Sequence, residues 1–102
     1  NFWTTSAMMA PFYELLLFLS NWLVKKGIKK DSAQKYISSL FLALSEDAFN
    51  HKKNLKELVK NSQTPGGLNE QAVKDLRKAG FYNLLEKTSN KLMKRLNKAQ
   101  SN

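Results

Sequence analysis

The sequence predicts an all-α fold, a bundle of about five helices, on three observations. Apolar residues recur at three- and four-residue spacing through most of the chain. Only four Gly and two Pro punctuate 102 residues, too few for a sandwich or barrel, which needs a turn signal every 8–12 residues or so. Each periodic segment is also bounded by helix start or stop residues. A chain of this length holds one domain and hardly more, so 1–102 is expected to be a single helical domain and not a complete two-domain enzyme.

The first helix is expected over 6–26, with Pro11 tolerated near its first turn. Its apolar residues, among them Phe12, Leu15, Leu16, Leu17, Phe18, Leu19, Trp22 and Leu23, wrap most of the circumference, which reads as a helix buried on nearly all sides. A chain this short cannot surround one helix with its own remaining elements. Part of that surface, with Phe12, Leu16, Leu19, Trp22 and Leu23 as its expected contacts, therefore meets another polypeptide, and a second copy of the chain is the expected partner. Gly27 ends the helix as a left-handed residue, with Ile28 folding back on Leu23.

Asp31 or Ser32 is expected to cap the second helix, in which Ala33, Tyr36, Ile37, Leu40, Phe41, Leu44 and Ala48 form one core face. Asn54 and Glu57 resemble a capping box for a short helix that ends near Asn61. After the loop 62–67, a helix carries Leu68, Ala72, Val73, Leu76 and Ala79 on one face and stops at Gly80, with Phe81 packing back on Leu76. The last helix, 82–98, is expected to bury Leu85, Leu92 and Leu96 and to show Lys87, Lys91, Lys94 and Lys98 to solvent. Its basic end suits the C-terminal pole of the helix dipole.

Composition excludes several chemistries. The absence of Cys removes disulfides and thiolate metal sites, and a lone His51, expected solvated or at a helix end, makes a histidine zinc site implausible. No metal is expected. Lack of cysteine fits a cytoplasmic location. The net charge is +9, of which residues 1–50 carry only +1. The apolar run 7–24 is shorter than a comfortable membrane span and is interrupted by Pro11, Glu14, Ser20 and Asn21, so no membrane partner is expected. Glu14, alone in that helix, is expected to reach solvent or a partner. The chain begins at Asn1 and not Met, which reads as an excised or processed piece.

Thr64-Pro65-Gly66-Gly67 is the strongest loop signal and feeds directly into a helix. Amides at a helix N-terminus point outward unsatisfied, and glycine removes obstruction, so a carboxylate or phosphate could approach the backbone. The same spacing fits a plain turn in which Asn69 or Thr64 caps the helix, and the residues alone leave both open. The glycines, at 27, 66, 67 and 80, cannot make a dinucleotide or Walker loop.

The string Asn-Leu-Lys-Glu-Leu-Val-Lys-Asn-Ser-Gln-Thr-Pro-Gly-Gly at 54–67, followed by a helix, then Lys78-Ala79-Gly80-Phe81 and Leu84-Leu85, resembles the C-terminal dimerisation domain of pyrroline-5-carboxylate reductases. The order and spacing agree over 55–96. The resemblance implies a fold like the C-terminal domain of 6-phosphogluconate dehydrogenase, intertwined as a homodimer. It also implies an upstream Rossmann domain binding NAD(P)H, and hydride transfer to a cyclic imine that yields proline. Thr64, Gly66, Gly67, Leu68 and Asn69 would then receive the carboxylate of a small imine substrate. Two departures imply a divergent member. Leu68-Asn69 stands where the family has small residues with a Thr hydroxyl, and of the family's Ser-Gly-Ser-Gly-Pro-Ala-Tyr only Pro11 and Tyr13 remain, with Met8 and Met9 filling space.

Two rival readings stand beside this one. A basic helical module could bind nucleic acid through Lys87, Lys91, Lys94, Arg95 and Lys98, with steeply salt-dependent affinity. Against it, no aromatic residue interleaves with those bases and the final helix has an apolar face, so no nucleic acid is expected. The other rival is a pairing domain whose parent has lost catalysis.

Overall fold

The computed structural model describes residues 2–52 and 54–101, and among them every regular element is helical. A single turn, α1 (Phe2–Thr5), and a 3-10 turn (Ser6–Met8) precede α2 (Met9–Lys25) and α3 (Lys30–Asn50). Then come α4 (Leu55–Asn61), α5 (Leu68–Lys78) and α6 (Phe81–Ser101). The all-α expectation is met, with five helices of seven residues or more. The contacts divide the chain into two compact units, one over Met8–Leu55 and the other containing α1 and the chain from Lys56 onward.

In the first unit, α2 and α3 form a helical hairpin. Pro11 falls at the third position of α2, where its missing N–H would have had no partner inside the helix. Its ring crowds the carbonyl four residues back, that of Ala7. Ala7 is the centre of the 3-10 turn, so the chain changes winding where the proline demands it. At the other end the backbone bonds of the expected stop are present. Gly27 has φ 101°, its N–H donates to the Val24 carbonyl, and Ile28 N–H donates to the Leu23 carbonyl, the paired bonds of a Schellman motif.

The start of α3 differs from the expectation. Lys29 is the capping residue and supplies no side-chain bond, while Asp31 and Ser32 lie inside the first turn. The tight reversal after Gly27 brings the chain into helical geometry two residues early. Asp31 still places a negative charge near the positive pole of α3. His51 closes the helix as its C-terminal cap, as expected.

The hairpin seam is narrow. Ala33 and Ile37 on α3 and Ser20 on α2 are buried, and the Ser20 hydroxyl donates to the Leu16 carbonyl at 2.7 Å. Leu16, Leu19 and Leu23 are half-buried, and Phe12 meets the edge of Phe41 with ring centroids 6.2 Å apart. The rest of α2 is open: Phe18 is 70% and Trp22 54% exposed. The expectation of a helix buried on nearly all sides is therefore corrected within one chain, because two helices in contact cover only one face of each. Along α3, Tyr36, Leu40 and Leu44 of the expected core face are likewise exposed.

In the second unit, α5 packs on α6, and α1 also packs on α6. Gly80 has φ 84° and joins the two helices. Its N–H donates to the Arg77 carbonyl at the end of α5, and its carbonyl accepts Leu84 N–H at the start of α6. Leu85 and Leu96, expected in the core, are exposed, and Leu92 is half-buried. Lys87, Lys91, Lys94 and Lys98 face solvent as expected. Thr4 is buried, and its hydroxyl has no partner among the described residues.

The helical stretch Trp3–Lys25 spans 23 residues and is long and apolar enough to cross a membrane by length and composition. It is longer than the run expected from the sequence because α1 and the 3-10 turn extend it. Only 6% of its most apolar window is buried within the chain, and the core helix of a soluble protein or a signal sequence passes the same test of length and composition. Glu14 in its middle is exposed, in line with the expectation that it reaches solvent or a partner.

Candidate functional site

Pro65 and Gly66 occupy the central positions of a β-turn closed by Gly67 N–H donating to the Thr64 carbonyl at 2.8 Å. Gly66 has φ 76°, the left-handed conformation a type II turn requires at this position and glycine adopts without strain. Gly67, with extended backbone, is the capping residue of α5 and makes no side-chain cap. A Cβ there would lie 3.0 Å from the Thr64 carbonyl oxygen. The two glycines thus serve different needs, conformation at 66 and clearance at 67.

The first bond of α5 runs from Gln71 N–H to the Gly67 carbonyl at 3.1 Å. The Leu68, Asn69 and Glu70 amides precede it and point out of the helix start. The reading in which Asn69 or Thr64 caps the helix is not what the structure shows. Instead Gly66 N–H donates to Glu70 Oε1 at 3.2 Å, and Lys74 Nζ lies 3.5 Å from the same oxygen. The Gly66 amide, with help from Lys74, holds the Glu70 carboxyl below the usual carboxylate range. Of the glycine and helix-start amides expected to receive a carboxylate, Gly66 and Gly67 are engaged within the loop, while Leu68 and Asn69 head the helix.

Thr64, Gly66, Leu68 and Asn69 are exposed, and Gly67 is half-buried. Leu68 is 86% exposed, so the side chain that departs from the family pattern stands in the open above the helix start. Glu70 was not foreseen from the sequence. Its signal was present, since a Glu three residues after the capping position is the reciprocal half of a capping box; here it reaches one residue further back. A cavity of about 650 Å³ adjoins the turn, between α4 and α5.

The second candidate surface is the pair of apolar flanks beside the hairpin seam. At 100° per residue, Leu15, Phe18 and Trp22 line one flank of α2 and Tyr13, Leu17 and Val24 the other, and all six are exposed. Of the contacts expected with a partner, Phe12 and Trp22 are exposed, whereas Leu16, Leu19 and Leu23 are half-buried. No group of three His, Cys, Asp or Glu able to hold a metal occurs among the described residues. Lys87, Lys91, Lys94, Arg95 and Lys98 are exposed along α6.

A helical hairpin with apolar flanks, together with a Pro-Gly-Gly turn opening a second helical pair, defines an all-α pairing domain. Residues 3–99 match the family described as pyrroline-5-carboxylate reductase dimerisation, and the chain belongs to that family. Neither the curated proteins nor the solved structures gave a match.

Proposed function

We propose that this chain pairs with a second copy through the flanks of α2 and α3, intertwined as a homodimer. In this reading it is the dimerisation and substrate-loop part of a cytoplasmic NAD(P)-dependent oxidoreductase of proline biosynthesis. The reaction is reduction of a small cyclic imine bearing a carboxylate. Family membership and the exposed apolar flanks support the pairing. One observation supports the site: the Thr64-Pro65-Gly66-Gly67 turn leads straight into α5, so that the Leu68 and Asn69 amides stand ahead of its first helical bond. There the partial positive charge of a helix start meets a substrate carboxylate, with Thr64 and Asn69 as flanking polar side chains.

The reductase reading assigns NAD(P)H mainly to a separate domain of the parent protein and no chemical step to this chain, in which Gly27 and Gly80 serve as helix stops and Gly66 and Gly67 as a turn. Its part is to bind the substrate's charge and hold the pair together.

Replacing Gly67 by Val in the parent enzyme tests this. The new Cβ meets the Thr64 carbonyl oxygen at 3.0 Å and the Thr64 Cβ at 3.3 Å, so the turn must yield by a few tenths of an ångström, and the added methyls crowd it further. The expected result is a rise in KM for the imine of tenfold or more with the dimer intact. Unchanged KM would remove the loop from substrate binding and leave a pairing role alone.

A further inference from the structure

The cavity beside the turn gathers three cations, one of which, Lys56, its own helix does not need. Lys56 and Lys60 of α4, Arg77 of α5, and Gln63, Pro65 and Glu70 line it, with Val59 at its apolar side. Lys56 and Lys60 are four residues apart, so both stems leave the same face of α4. Lys60 and Arg77 sit in the last turns of their helices, where a cation complements the dipole. Lys56 does not. It lies in the first turn of α4, where the helix dipole disfavours a cation.

The one carboxylate in the lining, Glu70, already accepts Gly66 N–H at Oε1, with Lys74 Nζ 3.5 Å from the same oxygen. Among the described residues, no carboxylate lies within ion-pair distance of Lys56, Lys60 or Arg77. Gln63 is turned inward, its Nε2 donating to the Val59 carbonyl at 3.1 Å. The result is an open pocket of about 650 Å³ with three cations around it, within the range of about 300–1,000 Å³ for small-molecule sites.

We propose that this cavity binds a phosphate group, free or carried by a small organic molecule. Arg77 presents the planar fork that matches two phosphate oxygens, and Lys56 and Lys60 act as point charges on the third. A carboxylate would answer only part of this charge. The lining meets the turn at Pro65 and Glu70 and does not include Leu68 or Asn69, and the site does not require the reductase reading.

Titration of the chain with inorganic phosphate, with a nucleoside diphosphate and with chloride at matched ionic strength, followed by amide NMR shifts, tests this. The expected result is saturable shifts confined to residues 56–63 and 70–77 for one or both phosphate ligands and none for chloride. Saturation by inorganic phosphate means that a bare phosphate group suffices; saturation by the nucleotide alone means that the ligand is a phosphate ester. Lys60→Gln with Arg77→Gln should weaken Kd at least tenfold at unchanged helicity, and Arg77→Lys should fall between. Shifts that chloride reproduces, shifts that never saturate, or a Kd unchanged in the double variant would overturn the proposal.

Discussion

Three single residues carry separable free-energy terms. Gly27 has open space where a Cβ would stand but holds φ at 101°, so Gly27→Ala strains only the backbone and should cost about 1–2 kcal/mol in denaturant unfolding. Thr4 is the reverse case. Its buried hydroxyl has no partner among the described residues, so Thr4→Val removes an unsatisfied group and should raise stability by about 1 kcal/mol. Glu70 supplies the pH dependence. Its carboxyl titrates below its unfolded value because Gly66 N–H and Lys74 favour the charged form. The stabilisation is therefore complete above the unfolded carboxylate pKa, about 4.3, and is lost as pH falls through the lower folded value. Glu70→Gln should flatten that acid limb of the stability curve and leave neutral-pH helicity unchanged.

At the scale of elements, the helix ends were the most legible part of the sequence. Gly27 with Ile28, Asn61, the Pro-Gly-Gly turn and Gly80 all stand where their backbone chemistry places them, because such signals act within a few residues. The start of α3 was misread, since Asp31 is a good cap in isolation but the reversal at Gly27 had already set the chain helical at Lys30. Apolar spacing located the helices but not their depth. The expected core of α6 lies open at Leu85 and Leu96 because α5 and α1 cover only part of it. At the site, the turn was readable from Pro65-Gly66-Gly67, whereas Glu70 required knowing which amide its side chain would find. The flanks of α2 give the prediction at this scale. Burying an exposed large apolar side chain contributes about 1.5–3 kcal/mol, so Phe18→Asp with Trp22→Asp should abolish pairing in sedimentation while each chain keeps its α2 and α3 helicity.

For the whole molecule, the apolar surface of the α2–α3 hairpin decides the state of the chain in water. Among the described residues only Ala33 and Ile37 are buried hydrophobics, while Phe18, Trp22, Leu42 and Phe49 are half-exposed or more. A soluble monomer rarely leaves its large apolar side chains this open, and stable obligate dimers bury about 2,000–5,000 Å². A net charge of +9 opposes association at low salt, so pairing should strengthen as salt is raised. Nucleic-acid binding through α6 would weaken steeply over the same range. Sedimentation velocity of the chain at micromolar concentration and physiological salt reads the pairing itself. A paired chain sediments as a folded species of twice 11.7 kDa; a well-folded species at 11.7 kDa, unchanged on raising concentration and salt, would rule the pairing out.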